Sequence, residues 1–260
     1  MNFRSGLISR AAALTVIMAG TSIGCSDPSP APGGARRDAP AARANKERHE
    51  ITAQTIAPYG ALLKAHEHGE QRALRIKVDA VRNRLWVLGM KHVYVYDITG
   101  KQLIRRGALP NWSVAGFVCP PDMALDQSGA AFLASNVEST LWKIDAEDFA
   151  ISALDITLLA KANRDIGFDA LTVAGDGALY ALTAHDGSLW RIDVVAMRGN
   201  EIALSERMLN TCTLKAPNQR IQSGLPRTVV LCAAAVKNSQ QIVIAPDFTR
   251  GHVSTEKCPS

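Results

Sequence analysis

The chain has 260 residues, 47% of them hydrophobic, 20% charged and 5% aromatic, with 29 Lys and Arg against 24 Asp and Glu. That share of apolar residues, without several long apolar runs, supports a buried core and excludes a polytopic membrane protein and a wholly disordered chain. Composition is uneven along the chain: four of the twelve Pro (Pro28, Pro30, Pro32 and Pro40) crowd into one short stretch.

Arg4 and Arg10 flank the start of an apolar run over 11–19, followed by the small residues Gly20, Thr21 and Ser22. This is the layout of a secretory signal peptide, here 1–24. A spanning helix needs about 20 apolar residues, roughly twice this run. Ser22-Ile23-Gly24-Cys25 resembles the lipobox of bacterial lipoproteins, although Ser22 stands where the family usually has an aliphatic residue. The resemblance implies that Cys25 is acylated and becomes the new N-terminus. Residues 25–50 then read as the lipidated Cys and a tether, rich in Pro, Ala and Gly and without an apolar period. Ser26 rather than Asp after the Cys implies the periplasmic face of the outer membrane.

From Ile51 onward 22 basic residues face 20 acidic ones, so the overall charge of +5 belongs mostly to the signal and tether. No nucleic-acid partner is expected of so neutral a domain. Four Cys follow the tether: Cys119, Cys212, Cys232 and Cys258. In an oxidising compartment their even number favours disulfides, with three possible pairings. Cys212 and Cys232 bracket an apparent insertion, which favours joining them and leaves Cys119 with Cys258.

The next segment carries a 48-residue repeat. Asp97, Asp145 and Asp193 close three aligned units, with Tyr94, Trp142 and Trp190 in register before them. Each unit alternates β-branched and aromatic residues between turn clusters such as 127–129, 175–177 and His185-Asp186-Gly187. Four short strands per 48 residues is the pattern of a β-propeller blade. A divergent fourth unit follows over 228–255, carrying about 16 extra residues around 212–227 and lacking an obvious fourth strand. The run 51–57 is expected to supply that strand and close the ring. The fold expected for 51–260 is therefore all-β, a propeller of four blades, or five if 59–71 adds strands.

Pro121-Asp122 with 132–134 and 141–145, and Phe168-Asp169 with 179–181 and 189–193, resemble the blades of NHL-type and gluconolactonase-type (senescence marker protein-like) propellers. The resemblance covers roughly 74–204, and in the gluconolactonase-like family some metal ligands sit where Asp122 and Asp169 stand. The Glu and Asn partners of that site have no counterpart in this sequence, so both Asp also read as turn caps. His66 and His68 form an HxH pair whose geometry can bind a metal, but a lone HxH beside a tether reads first as a solvated loop. Strict repetition gives Trp142 and Trp190 a packing role. No nucleophile elbow, Walker loop or HExxH is present. The expected function is a noncatalytic, lipid-anchored propeller that binds an envelope protein or small ligand without a cofactor. The alternative is a metal-dependent hydrolase or lactonase of the gluconolactonase-like type.

Overall fold

The computed structural model describes residues 59–116, 119–159, 166–217, 228–235, 239–254 and 258. The expected signal peptide, Cys25, the tether and the run 51–57 lie outside the described residues. All described residues fall in one unit of the chain, Pro40–Ser260.

Period-2 apolar patterns separated by turns fold into successive antiparallel sheets, each wound from its first strand outward. The first sheet runs in the order β1 (Arg75–Asp79), β2 (Arg84–Leu88), β3 (His92–Asp97) and β4 (Gln102–Ala108). The second has β5 (Met123–Leu125), β6 (Ala131–Ala134), β7 (Thr140–Ile144) and β8 (Ile151–Asp155). A two-residue strand, β9 (Thr157–Leu158), then leads toward the third sheet. That sheet comprises β10 (Phe168–Val173), β11 (Leu179–Thr183), β12 (Leu189–Asp193) and β13 (Arg198–Leu204). The fourth comprises β14 (Thr211–Lys215), β15 (Val229–Ala235), β16 (Ser239–Ile244) and β17 (Arg250–Ser254). The outermost strand β13 also pairs in parallel with β9 and with β17.

The repeated Asp residues act in the turn between third and fourth strands. Asp97 accepts the Gly100 N–H at 2.7 Å, Asp145 that of Glu147 at 2.8 Å, and Asp193 those of Val195 and Ala196 at 3.0 and 2.9 Å. Four residues after each Asp the chain turns left-handed, at Lys101, Phe149 and Met197 with φ of 52°, 58° and 52°. A short side chain bonded to its own turn stabilises that conformation in residues other than glycine. Phe248, with φ of 58°, occupies the same place in the fourth unit.

Apolar clusters join each unit to its predecessor. Trp142 packs with Trp86, Leu88, Val93 and Val95 of the first unit, and Trp190 with Phe132, Ala134 and Leu141 of the second. Tyr180, Leu182 and Ile202 pack with Leu214, Leu231 and Ile242 across the last interface. The indole N–H of Trp142 donates to the Pro110 carbonyl at 2.9 Å, satisfying the polar edge of a buried ring. Tyr94, the counterpart in the first unit, packs with Tyr96 against Leu63 of a short helix, α1 (Gly60–Leu63).

Three expectations require correction. Residues 59–71 form α1 and two 3-10 turns, so they add no strands toward a fifth blade. The residues read as an insertion contain β14, the innermost strand of the fourth unit. That unit therefore has four strands among the described residues, β14 included. The disulfides also differ from the favoured pairing: they are Cys119–Cys212 and Cys232–Cys258. The register of β14 on β15 sets Lys215 opposite Cys232. Cys212 lies three residues back, about 10 Å along the strand at ~3.3 Å per residue, beyond the ~7 Å that a disulfide spans.

The two bridges enclose 93 and 26 residues. Loop closure entropy then assigns them about 4.7 and about 3.5 kcal/mol. Urea unfolding of the Cys119→Ala/Cys212→Ala and Cys232→Ala/Cys258→Ala variants is expected to show the larger loss for the first pair.

The backbone N–H groups of Ala196 and Val195 hold the Asp193 carboxyl below the usual carboxylate range. A depressed folded value means the stabilisation is present above the unfolded pKa of ~3.9 and is lost as pH falls through the folded value. The difference in melting temperature between wild type and Asp193→Asn is expected to shrink as pH is lowered from 6 to 3. A constant difference would contradict the assignment.

Candidate functional site

The first strands of the four units converge on one side chain. Arg75, the first residue of β1, donates from Nε to Asp122 Oδ1 at 3.0 Å. Its Nη2 donates to the carbonyls of Pro120 at 3.2 Å, Asp169 at 3.5 Å and Cys212 at 2.5 Å. One guanidinium from the first unit thereby reaches the inner backbone of the second, third and fourth. Its planar fork of N–H donors suits several fixed acceptors at once.

Local sequence places each acceptor. Pro120 and Pro121 have no N–H to give to a ladder, which leaves this stretch outside β5 with the Pro120 carbonyl available to Arg75. Asp169 lies at a β-bulge, where the β10–β11 register shifts between Phe168 and Ala170. The extra residue of a bulge turns backbone groups out of the ladder. The Cys119–Cys212 bridge ties together the two segments whose carbonyls both accept from Arg75. The segment leading to Cys119 is held in turn by buried Asn136, which accepts the Ala115 N–H at 2.9 Å and donates to the carbonyls of Ala115 and Cys119.

Asp122 is the most deeply buried acid of this centre, its side chain 2% exposed against 15% for Arg75. Its second oxygen accepts the Leu171 N–H at 3.0 Å, and Lys77 Nζ stands 3.9 Å from the first. A carboxylate removed from water needs such compensation. Arg75 thus bonds the Asp122 carboxylate and the Asp169 backbone carbonyl, and the Asp122 side chain serves Arg75 and Leu171 rather than a turn of its own. Both oxygens of Asp122 are engaged by donors of the chain itself. Among the described residues, no three His, Cys, Asp or Glu side chains gather as a metal site requires.

His66 is buried rather than solvated, whereas His68 is exposed. With Nδ1–H donating to the Gln71 carbonyl at 2.7 Å, Nε2 accepts from the Tyr96 hydroxyl at 2.7 Å. The ring meets Tyr94 edge-on at 4.5 Å, so His66 clamps the segment around α1 onto the first sheet. Burial, and secondarily Tyr94, push the Tyr96 hydroxyl pKa up. His185-Asp186-Gly187 is a hairpin turn: Gly187 has φ of 62°, and a Cβ there would strike the Met208 backbone.

Sequence reasoning missed Arg75. A usable signal was present, because the 48-residue step from Arg75 leads to Met123 and then Leu171. A charge standing where the other units have apolar residues breaks the repeat.

No family model matches the chain, and no curated protein matches it. Among solved structures it is similar to a selenomethionine-substituted virginiamycin B lyase from Staphylococcus aureus, with a TM-score of 0.50 and 14% identity over 71% of this chain and 55% of that one. A streptogramin B lyase gives a TM-score of 0.49 and 15% identity over 71% and 54%. The Dos1 propeller gives 0.48 and 12% over 71% and 47%. The chain is a β-propeller. It spans about half the length of the lyases, and identities this low show a shared fold alone.

Replacing Arg75 by Met leaves a buried carboxylate short of its main partner. Urea unfolding is expected to show a loss of about 3–5 kcal/mol, with Arg75→Met/Asp122→Leu recovering part of it. A single variant within 1 kcal/mol of wild type would remove Arg75 from its central role.

Proposed function

We propose that the protein is an exported lipoprotein, anchored through Cys25 at the periplasmic face of the outer membrane. Its propeller acts as a noncatalytic binding domain for an envelope protein or small ligand. The observation that carries this reading is the filled centre. The place where a propeller of the gluconolactonase-like type would hold its metal, marked here by Asp122 and Asp169, contains a cation of the first unit bonded to the other three. A hydrolase would have to displace Arg75 from a carboxylate and three carbonyls before binding metal. Two disulfides favour an oxidising compartment and so support export. The 48-residue pattern that resembles NHL-type and gluconolactonase-type blades serves turns and interfaces here, which fits kinship in architecture rather than in catalysis.

Metabolic labelling with palmitate and fractionation test the anchor. The wild-type protein is expected to take label and sediment with membranes, and Cys25→Ser to lose the label and appear in the soluble periplasmic fraction. Sedimentation of Cys25→Ser with membranes would reject the anchor. Lactone turnover abolished both by a chelator and by Asp122→Ala would reject the noncatalytic role.

A further inference from the structure

The outermost strands β4 and β13 occupy the same place in their units. Each has seven residues and begins five residues after the repeated Asp, at Gln102 after Asp97 and at Arg198 after Asp193. Their surroundings differ. The outer edge of β13 is used twice: Thr157 and Leu158 lie beside Arg198 and Gly199, and Ala203 and Leu204 beside Arg250 and Gly251. These neighbours exchange backbone hydrogen bonds, among them Leu159 N–H to the Gly199 carbonyl at 3.2 Å and Ala203 N–H to the Thr249 carbonyl at 3.0 Å. Gly199 and Ile202 are buried in consequence.

Among the described residues, no strand pairs with the outer edge of β4. Residues 102–106 are all exposed, including the aliphatic Leu103 at 49% and Ile104 at 44%. Leu103 pairs with Tyr96, and Ile104 is the extra residue of a bulge before Arg105 pairs with Val95; two exposed aliphatics on an edge strand are a surface that natural sheets otherwise cover. Arg105 and Arg106 follow directly, the latter lying over the Tyr94 ring at 5.8 Å with its Nη2 donating to His92 Nε2 at 3.2 Å, and Lys101 stands at the head of the strand. The surrounding unit is strongly basic: residues 59–109 hold ten Lys and Arg against four Asp and Glu, whereas 110–260 hold twelve against sixteen.

We infer that the outer edge of β4 is a docking site for an extended acidic segment of a partner protein, which adds a strand beside 102–106 as β9 and β17 do beside β13. This deepens, and rests on, the reading of the propeller as a binding domain. Backbone N–H and C=O groups along the edge supply affinity, the aliphatic pair supplies apolar contact, and the two arginines select acidic side chains. A lipid surface suits this site less well, because it offers an open backbone edge no regular partners. Residues 51–57 of the chain, Ile-Thr-Ala-Gln-Thr-Ile-Ala, contain no acid for the arginines.

The test uses the full chain and a fluorescein-labelled ten-residue peptide alternating Val and Glu, beside its Val and Lys counterpart. The Glu peptide is expected to bind saturably and to slow amide hydrogen exchange over 102–106. The Lys peptide, and the Glu peptide on Arg105→Glu/Arg106→Glu, are expected to bind at least tenfold more weakly. Arg198→Glu/Lys215→Glu, with the same charge change elsewhere, is expected to bind as wild type. Four results would overturn the inference: no slowing over 102–106 at saturating Glu peptide; equal binding of both peptides; slowing produced only by phosphatidylglycerol vesicles; or protection already present in the free protein and lost on deleting 51–57. None of these requires turnover or loss of the anchor, so failure of the edge site is distinguishable from failure of the wider functional reading.

Discussion

The arrangement of the inner strands depends on how their polar backbone is satisfied where the four units meet. Flat sheets set side by side bury their faces with apolar residues, but their inner edges carry carbonyl groups that no neighbouring strand can reach. A buried carbonyl without a donor is costly, and a single guanidinium supplies several donors in one plane. Arg75 uses this to bond Pro120, Asp169 and Cys212, while Asp122 neutralises its charge. The disulfide between Cys119 and Cys212 holds the same two segments covalently. The Arg75 bonds to Pro120 and Cys212 and the bridge therefore act on one constraint, the distance between the second and fourth units.

Outside the centre, cohesion is local and repetitive. Each third-strand aromatic faces the preceding unit, which gives Trp142 and Trp190 their neighbours. Tyr94 lies in the first unit, where α1 and His66 pack against it. The His66 hydrogen bonds to the Gln71 carbonyl and the Tyr96 hydroxyl fasten this substitute element. Stability is thus built from neighbour contacts along the chain, as in other repeat proteins, with Arg75 and the long disulfide loop as the links of greatest span.

What could be read from the sequence follows from the range of each interaction. Asp97, Asp145 and Asp193 bond to N–H groups two or three residues away, so their spacing revealed the units before any contact was known. β14 is only five residues long and was hidden in what read as an insertion, because its apolar pattern is interrupted by Cys212 and Thr213. The disulfide pairing depended on the β14–β15 register and was beyond sequence spacing. Asp122 and Asp169 were singled out for their place at inner strands, and Arg75 bonds the carboxylate of the one and the backbone carbonyl of the other. The bonds that bring them together start from Arg75, 47 and 94 residues earlier. No local periodicity reports such a partner; only the break in the repeat at Arg75, Met123 and Leu171 could have done so.

With the centre filled by the chain's own groups, the binding role proposed for this propeller falls to its outer strands. Whether the centre is closed depends on the state of Arg75. Arginine-selective 1H–15N spectra, assigned with Arg75→Lys, read it directly. The account expects an Arg75 Nε–H that exchanges slowly at pH 7 and is insensitive to 0.5 M salt, as a desolvated bond to Asp122 requires. A rapidly exchanging, salt-sensitive Nε–H at Arg75 would contradict it and reopen the centre of the propeller as a site.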